Sequence, residues 1–232
     1  MIEALPMDYA NVIVKKPWGY EYLMYQNDAV GIWYLHIRHG AKTSLHCHPR
    51  KKTGLILLAG EAVVSFLNGS NQIKALSKMM IREGLFHSTS AVSREGISVI
   101  EIETPCDKRN LVRLDDAYGR EEKPYEGLDA IEPITEDCIR LETPVNGKPD
   151  RYSVSGCEFY VENISEVSGL RQRPPGEVEV ILEGGLESKT GDPIMSAGDV
   201  VSSDTLDRLA EVFYSPRGVT LLSIRKEVPN RS

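Results

Sequence analysis

An all-β protein of the sandwich or jelly-roll barrel type is the fold class the sequence predicts, and three observations predict it. Short segments alternate apolar and polar residues with period two. Glycine-rich turns separate them at regular spacing. No segment before residue 105 sustains a 3.6-residue period.

In chain order, residues 1–14 read as a leader that becomes a strand at Asn11–Val14. Lys15–Glu21 (KKPWGYE) reads as a turn in which Pro17 and Gly19 bracket Trp18. Gly31–His39 sets Trp33, Leu35 and Ile37 against Tyr34, His36 and Arg38, a strand with one wet face. Leu55–Ala59 and Glu61–Leu67 are strands broken at Gly60, and Asn68-Gly69 is a hairpin dipeptide. Ile73–Ile81 and Gly96–Glu103 supply further strand. Glu121–Asp150, with Pro124, Pro133, Pro144 and Pro149 among many charges, reads as a linker with one short helix around Glu136–Leu141. Strand patterns resume at Ser155–Asn163, Val178–Leu182, Val200–Ser203, Ala210–Tyr214 and Val219–Arg225.

The chemistry gathers in Gly40–Gly60. His46 and His48 flank Cys47, so in a strand both imidazoles share one face and Cys47 takes the other. Two neutral imidazoles on one face are half of a site for Zn, Fe, Ni or Cu. A third lies downstream in Ile81–His87. All five histidines (His36, His39, His46, His48 and His87) fall in the first 90 residues, so histidine chemistry belongs to that half.

These residues resemble the first cupin motif: a glycine, five residues, His-x-His, four residues, a glutamate, six residues and a glycine. Gly40, His46, His48 and Gly60 stand in register, with Thr53 at the glutamate. Gly84 and His87 keep part of the second motif. Lys16–Leu23 (KPWGYEYL), Val99–Glu103 and Arg113–Arg120 resemble landmarks of the cupin domain of type II mannose-6-phosphate isomerases, in the right order over about 105 residues. The resemblance implies a β-barrel with a metal held by His46, His48 and His87 and without the family's usual fourth ligand. The expected cofactor is a divalent metal, zinc first, with iron, manganese, nickel or cobalt as alternatives. A second, degenerate motif follows: Glu177 precedes Gly184 by the same spacing, Arg171-Gln172-Arg173 falls on the His-x-His register, and Gly198-Asp199 opens a second motif without histidine. The expectation is a bicupin, two jelly-roll barrels: a metal-bearing barrel at 1–120, a linker at 121–150 and a metal-free degenerate barrel at 151–232.

Three histidines leave a coordination place open for water or a substrate oxygen, where a metal polarises a carbonyl or hydroxyl. Thr53 brings no charge, so the site should be more cationic and more dependent on an anionic substrate. Glu101 and Glu103 share a strand face; facing inward, they are candidates for the general base, with His36 a third. Arg38, Lys42, Arg50, Lys52 and Arg82, together with Tyr34, are the expected substrate-binding residues, suited to a sugar phosphate or nucleotide sugar. The resemblance suggests an aldose–ketose isomerase that moves a proton between carbons through an enediol. A three-histidine iron dioxygenase and a non-catalytic carbohydrate-binding or regulatory cupin are the alternatives.

Composition narrows the partners. A net charge of −7 without a basic run argues against nucleic acid and anionic membranes. No 18-residue apolar run exists, and the start MIEALPMDYANVIV lacks a charged n-region before an apolar core, so a cytoplasmic protein is expected. The four cysteines show no Cys-x-x-Cys spacing; no disulfide framework is expected, and Cys47 reads as a buried apolar residue. Barrel edges are often covered by a partner, so a homodimer is expected.

Overall fold

Alternation builds the strands, and both faces of the central ones are buried. In Gly31–Ile37, Trp33, Leu35 and Ile37 enter one apolar core while Ile32 and Tyr34 enter another. The wet face expected for this strand is covered at Tyr34, half-covered at His36 and exposed only at Arg38. The computed structural model describes residues 8–144 and 149–228. Its first-half strands are β1 (Val12–Lys16), β2 (Gly19–Gln26), β3 (Gly31–Ile37), β4 (Leu45–Cys47), β5 (Lys52–Ala59), β6 (Glu61–Phe66), β7 (Gly69–Lys74), β8 (Lys78–Ile81), β9 (His87–Ala91), β10 (Ile97–Thr104), β11 (Val112–Asp115) and β12 (Ile131–Pro133). The second half has β13 (Asp150–Val154), β14 (Cys157–Ile164), β15 (Val178–Glu187), β16 (Pro193–Ser196), β17 (Val200–Ser202), the helix α1 (Ser203–Ala210) and β18 (Val219–Lys226). The protein is nearly all β, as expected.

A seven-stranded sheet in the order β12-β1-β2-β3-β10-β5-β8 faces a five-stranded sheet in the order β11-β4-β9-β6-β7. Between them lie Trp33, Leu35, Leu55, Leu57, Val64 and Val99. This is a two-sheet antiparallel barrel of the double-stranded β-helix type. The second half contributes one six-stranded sheet, β13-β14-β18-β15-β16 with β17 beside β15. One face of that sheet (Phe159, Val161, Val180, Leu222, Ile224) packs on the outer face of the seven-stranded sheet (Met24, Ile32, Ile56, Ile100). The other face packs Ile181 and Leu221 against Leu206 and Ala210 of α1 and against Leu170. Where the first half has two facing sheets, the second half has one, opposed by α1 and the Leu170 loop.

Several local expectations change. The Lys15–Glu21 turn shrinks to Pro17-Trp18, because Lys16 pairs with Gly19 across a tight hairpin. Gly19 is required there: a Cβ would lie 1.8 Å from the carbonyl oxygen of His36. Ile73–Ile81 is not one strand. It divides into β7 and β8 at Leu76, whose φ of 63° turns the chain. Residues 136–141 form no helix; Cys138 N–H turns back to Thr135 O, and Leu141 N–H bonds Met24 O. The stretch Ala210–Tyr214 is not a strand but the end of α1 and a turn. Ser202 caps α1 by accepting from Thr205 N–H, and Leu206 and Ala210 share its buried face at i,i+4. The expected linker is built in rather than free, since β12 adds to the edge of β1.

Candidate metal centre

Strand pairing creates the centre. His46 on β4 pairs directly with His87 on β9 and, on its other side, with Arg113 on β11. Directly opposed residues put their side chains on the same face, so Arg113, His46 and His87 form a row across three strands. His48 follows His46 by two residues and joins the same face. The ring centroids of His46 lie 4.4 Å from His87 and 4.9 Å from His48. One nitrogen from each of the three comes within 4.8 Å of the others.

Each imidazole is oriented by a backbone carbonyl. Nδ1 of His46 contacts Ser44 O at 2.8 Å, Nδ1 of His48 contacts Asn110 O at 2.7 Å, and Nδ1 of His87 contacts Leu85 O at 3.0 Å. A carbonyl only accepts, so each Nδ1 carries the proton and each Nε2 presents a lone pair. Carbonyls placed this way fix the tautomer of metal-ligating histidines. The Nε2 atoms of His48 and His87 are buried without a hydrogen-bond partner. Burial, the largest influence, keeps the rings neutral: His46 is held well below the usual histidine range, His48 is lowered to about 3 and His87 to about 4. Three neutral, converging imidazoles with orphaned nitrogens fit a divalent transition metal. Cys47, one residue out of phase with His46 and His48, takes the opposite face and is buried there.

The cavity beside the histidines measures about 50 Å³ and is lined by charged side chains. Glu101 and Glu103 face inward on β10, with Val99 in the barrel core on the same side. Lys51 Nζ lies 2.7 Å from Glu103, and Lys108 Nζ lies 2.9 Å from Glu103, 3.3 Å from Glu21 and 3.7 Å from Glu101. Lys108 also sits 3.8 Å above the Trp33 ring. Toward the rim, Glu126 accepts from Lys16 and, at 2.6 Å, from Arg120. The Tyr125 hydroxyl donates to Glu21. Burial raises Glu101 to about 7, opposed by Lys108 and reinforced by Glu103. Burial alone would raise Glu103 too, but Lys108 and Lys51 together hold it far below the usual carboxylate range. Two carboxylates of divergent acidity in one cavity are an arrangement that can serve acid–base chemistry, although Glu103 is also part of an ion-pair network.

Thr53, at the motif's glutamate position, is buried between Glu103 and Ile81 with an unpaired hydroxyl. A carboxylate thus stands one strand over, tied to two lysines. Other expected residues lie elsewhere. Tyr34 and His36 are one position out of phase with Trp33 and Leu35 and occupy the outer face: Tyr34 bonds Ser98, and His36 stacks on Tyr20. Arg38 donates to Pro17 O, Lys42 lies 3.9 Å from Asp115, and Lys52 reaches Asp199 of the second half at 2.7 Å. Arg50 and Arg82 are exposed on loops joined to His48 and Asn110 by the bonds Gly84 N–His48 O and Arg50 N–Asn110 Oδ1. None of these seven lines the cavity. Sequence reasoning missed Lys16, Glu21, Lys108, Tyr125 and Glu126, which do most of the charge balancing. Lys16 and Glu21 fall within the landmark Lys16–Leu23, while Lys108, Tyr125 and Glu126 lie only near landmark segments.

No family model matches the chain, and no curated protein matches it. Similar solved structures include KdgF from a Halomonas species, 14% identical over 40% of this chain and 84% of that one, TM-score 0.38. An uncharacterized conserved protein with a double-stranded β-helix domain from Klebsiella pneumoniae is 15% identical over 49% of this chain and 100% of that one, TM-score 0.40. A cupin-2 domain containing protein from Shewanella frigidimarina is 14% identical over 36% and 78%, TM-score 0.33. No helix among the described residues is long and apolar enough to cross a membrane.

Proposed function

We propose that the chain is a metal-dependent cupin enzyme acting on a sugar phosphate or nucleotide sugar, with aldose–ketose isomerisation as its reaction. Glu101 carries this reading: it is a buried carboxylate, raised to about 7, in the cavity that His46 and His48 of the three-histidine group also line. His46, His48 and His87 would hold a divalent metal, which when bound supplies Lewis-acid polarisation of a substrate oxygen. Glu101 takes the proton from one carbon of the substrate and returns it to its neighbour, passing through the enediol. Its acidity near neutral pH suits both directions of transfer. Glu103 stays ionised and fixes Lys51 and Lys108, so the cavity keeps its shape as Glu101 changes charge. Burial of the walls keeps bulk water from the enediol. In this reading the remote part of a larger substrate meets Arg50 and Arg82, which are exposed on the loops beside His48. In the same reading the enzyme is a cytoplasmic homodimer, residues 1–120 hold the metal-binding histidines, and residues 151–232 support that barrel.

The test is proton exchange at C2 of mannose 6-phosphate and fructose 6-phosphate in D2O, followed by NMR on protein loaded with zinc, manganese, cobalt or iron. Exchange should rise with pH through about 7 as Glu101 ionises, and Glu101→Gln should slow it about 10²–10⁴-fold. Absence of exchange from fully loaded protein retires isomerisation of these sugars. One observation favours a second reading: the described metal group is three histidines with no carboxylate among them. Oxygen uptake by the iron-loaded protein would favour that dioxygenase.

A further inference from the structure

Arg113 and Arg120 both line the cavity, both are largely buried, and they are satisfied very differently. Arg120 presents its Nε–Nη2 edge to Asp116, with Nε 2.9 Å from Oδ2 and Nη2 2.8 Å from Oδ1, while Nη1 donates to Glu126 at 2.6 Å. That is the bidentate arrangement by which a guanidinium holds a carboxylate. Arg113 uses only the other side of its fork. Its Nη1 donates to the carbonyl oxygens of Arg120, Lys123 and Pro124, which locks the plane of the group. Its Nε–H is buried and has no partner. Its Nη2 makes no hydrogen bond among the described residues and lies 3.8 Å from the nearest charged oxygen, on Glu126. The side chain as a whole is only 4% exposed, with Nε fully buried and Nη2 the end of the edge that opens to the cavity.

A buried donor without a partner is costly, and a buried guanidinium without a close carboxylate costs more. The charge balance of the cavity agrees. Lys16, Lys51, Lys108, Arg113 and Arg120 face Glu21, Glu101, Glu103, Asp116 and Glu126. When Glu101 holds its proton, one cation is left over. Arg113 is the cation whose nearest carboxylate contact is longest. Register sets Arg113 on the strand next to His46, and its side chain lines the same cavity as His46 and His48.

We infer that the Nε–Nη2 edge of Arg113 is a bidentate oxyanion subsite that holds the carboxylate or phosphate group of the substrate next to the three-histidine centre. The inference deepens the reading of this cavity as an active site and rests on it. It places the substrate's charged group within the barrel, on the neighbouring strand to a metal ligand, rather than on the exposed arginines of the rim. Carboxylate and phosphate share the required geometry, two oxygens accepting from two parallel N–H groups.

The experiment follows the arginine Nε–H signals of the ¹⁵N-labelled full chain by NMR while inorganic phosphate or acetate is added, with chelator-treated and zinc-loaded protein in parallel. One buried Nε–H signal, identified by its absence from Arg113→Lys, should shift saturably with at least one anion. Comparing the two anions tells which oxyanion the edge prefers. Read by isothermal titration calorimetry with the same anions, Arg113→Lys and Arg113→Gln should weaken that binding at least tenfold, whereas His48→Ala should leave it in place in metal-free protein. Equal affinity in the Arg113 variants, or no saturable shift with either anion, overturns the subsite. Should Arg113→Gln fail to fold by circular dichroism, the wild-type signal and the lysine variant still decide. The outcome separates from that of the isomerase test. A shift at Arg113 without C2 exchange sinks the isomerase and leaves the subsite, and C2 exchange without the shift does the reverse.

Discussion

Glu101 and Glu103 stand two residues apart on one strand, face the same cavity and end with opposite protonation preferences. The difference is distance to cations: Glu103 has two lysines within 2.9 Å, whereas Glu101 has one at 3.7 Å. The stability consequences therefore have opposite signs. Glu103 is more acidic folded than its ordinary value of 4.5, so its contribution is present above that value and lost as pH falls toward the folded one. Glu101 is less acidic folded, so its contribution is full below 4.5 and lost as pH rises through about 7. Glu103→Gln leaves Lys51 and Lys108 buried with one charge fewer to meet, and should cost about 3–5 kcal/mol at pH 7 by urea denaturation. The deficit should shrink in acid. Glu101→Gln should instead stabilise the chain at pH 8 and change little at pH 5, in the same assay.

The cavity wall depends on one segment that belongs to no strand. Residues 116–126 leave the edge of the five-stranded sheet after β11 and carry Arg120, Tyr125 and Glu126 back over the barrel opening. Their hold is electrostatic and aromatic: Arg120 on Asp116 and Glu126, and the Tyr125 ring 3.6 Å from Lys16 Nζ. Composition marks this stretch as loop, and backbone pattern alone gives it no address. In the second half, α1 is short and relies on its cap. Removing the Ser202 hydroxyl with Ser202→Ala should lower stability by about 1 kcal/mol, read as a shifted urea midpoint. The expectation of a strand over Ala210–Tyr214 fails because Ser202, Leu206 and Ala210 already satisfy a capped helix with one buried face.

The two halves of the molecule share a core. The seven-stranded sheet has Glu101 on its inner face and Ile100 and Ile102 on its outer face, and the outer face is completed by Phe159, Val180 and Ile224 of the second half. Packing of the distant sheet therefore bears on the strand that holds the candidate base. Phe159→Ala should cost about 3–5 kcal/mol through the cavity it leaves. Fluorescence of Trp18 and Trp33, both in the first half, should report that loss in the same transition as circular dichroism of the whole chain. Two separated transitions would show that the halves fold independently.

Local pattern by itself determined the all-β class, the extended segment that sets His46 on β4 and His48 just past its end toward one face, and the shared face of Glu101 and Glu103. Spacing along a strand fixes these things, because side chains alternate whatever the surroundings. The resemblance to the cupin motif brought His87 into the same group, and pairing of β4 with β9 put it there. Only the tertiary structure decided which face turns inward. It sent Tyr34 and His36 to the outside, where the second half provides apolar cover, and turned Glu101 and Glu103 to the inside. It also brought Lys16, Lys108, Tyr125 and Glu126 together from positions up to 110 residues apart. Burial and ion pairing are long-range terms, settled by which sheet packs on which, and no spacing in the sequence encodes them.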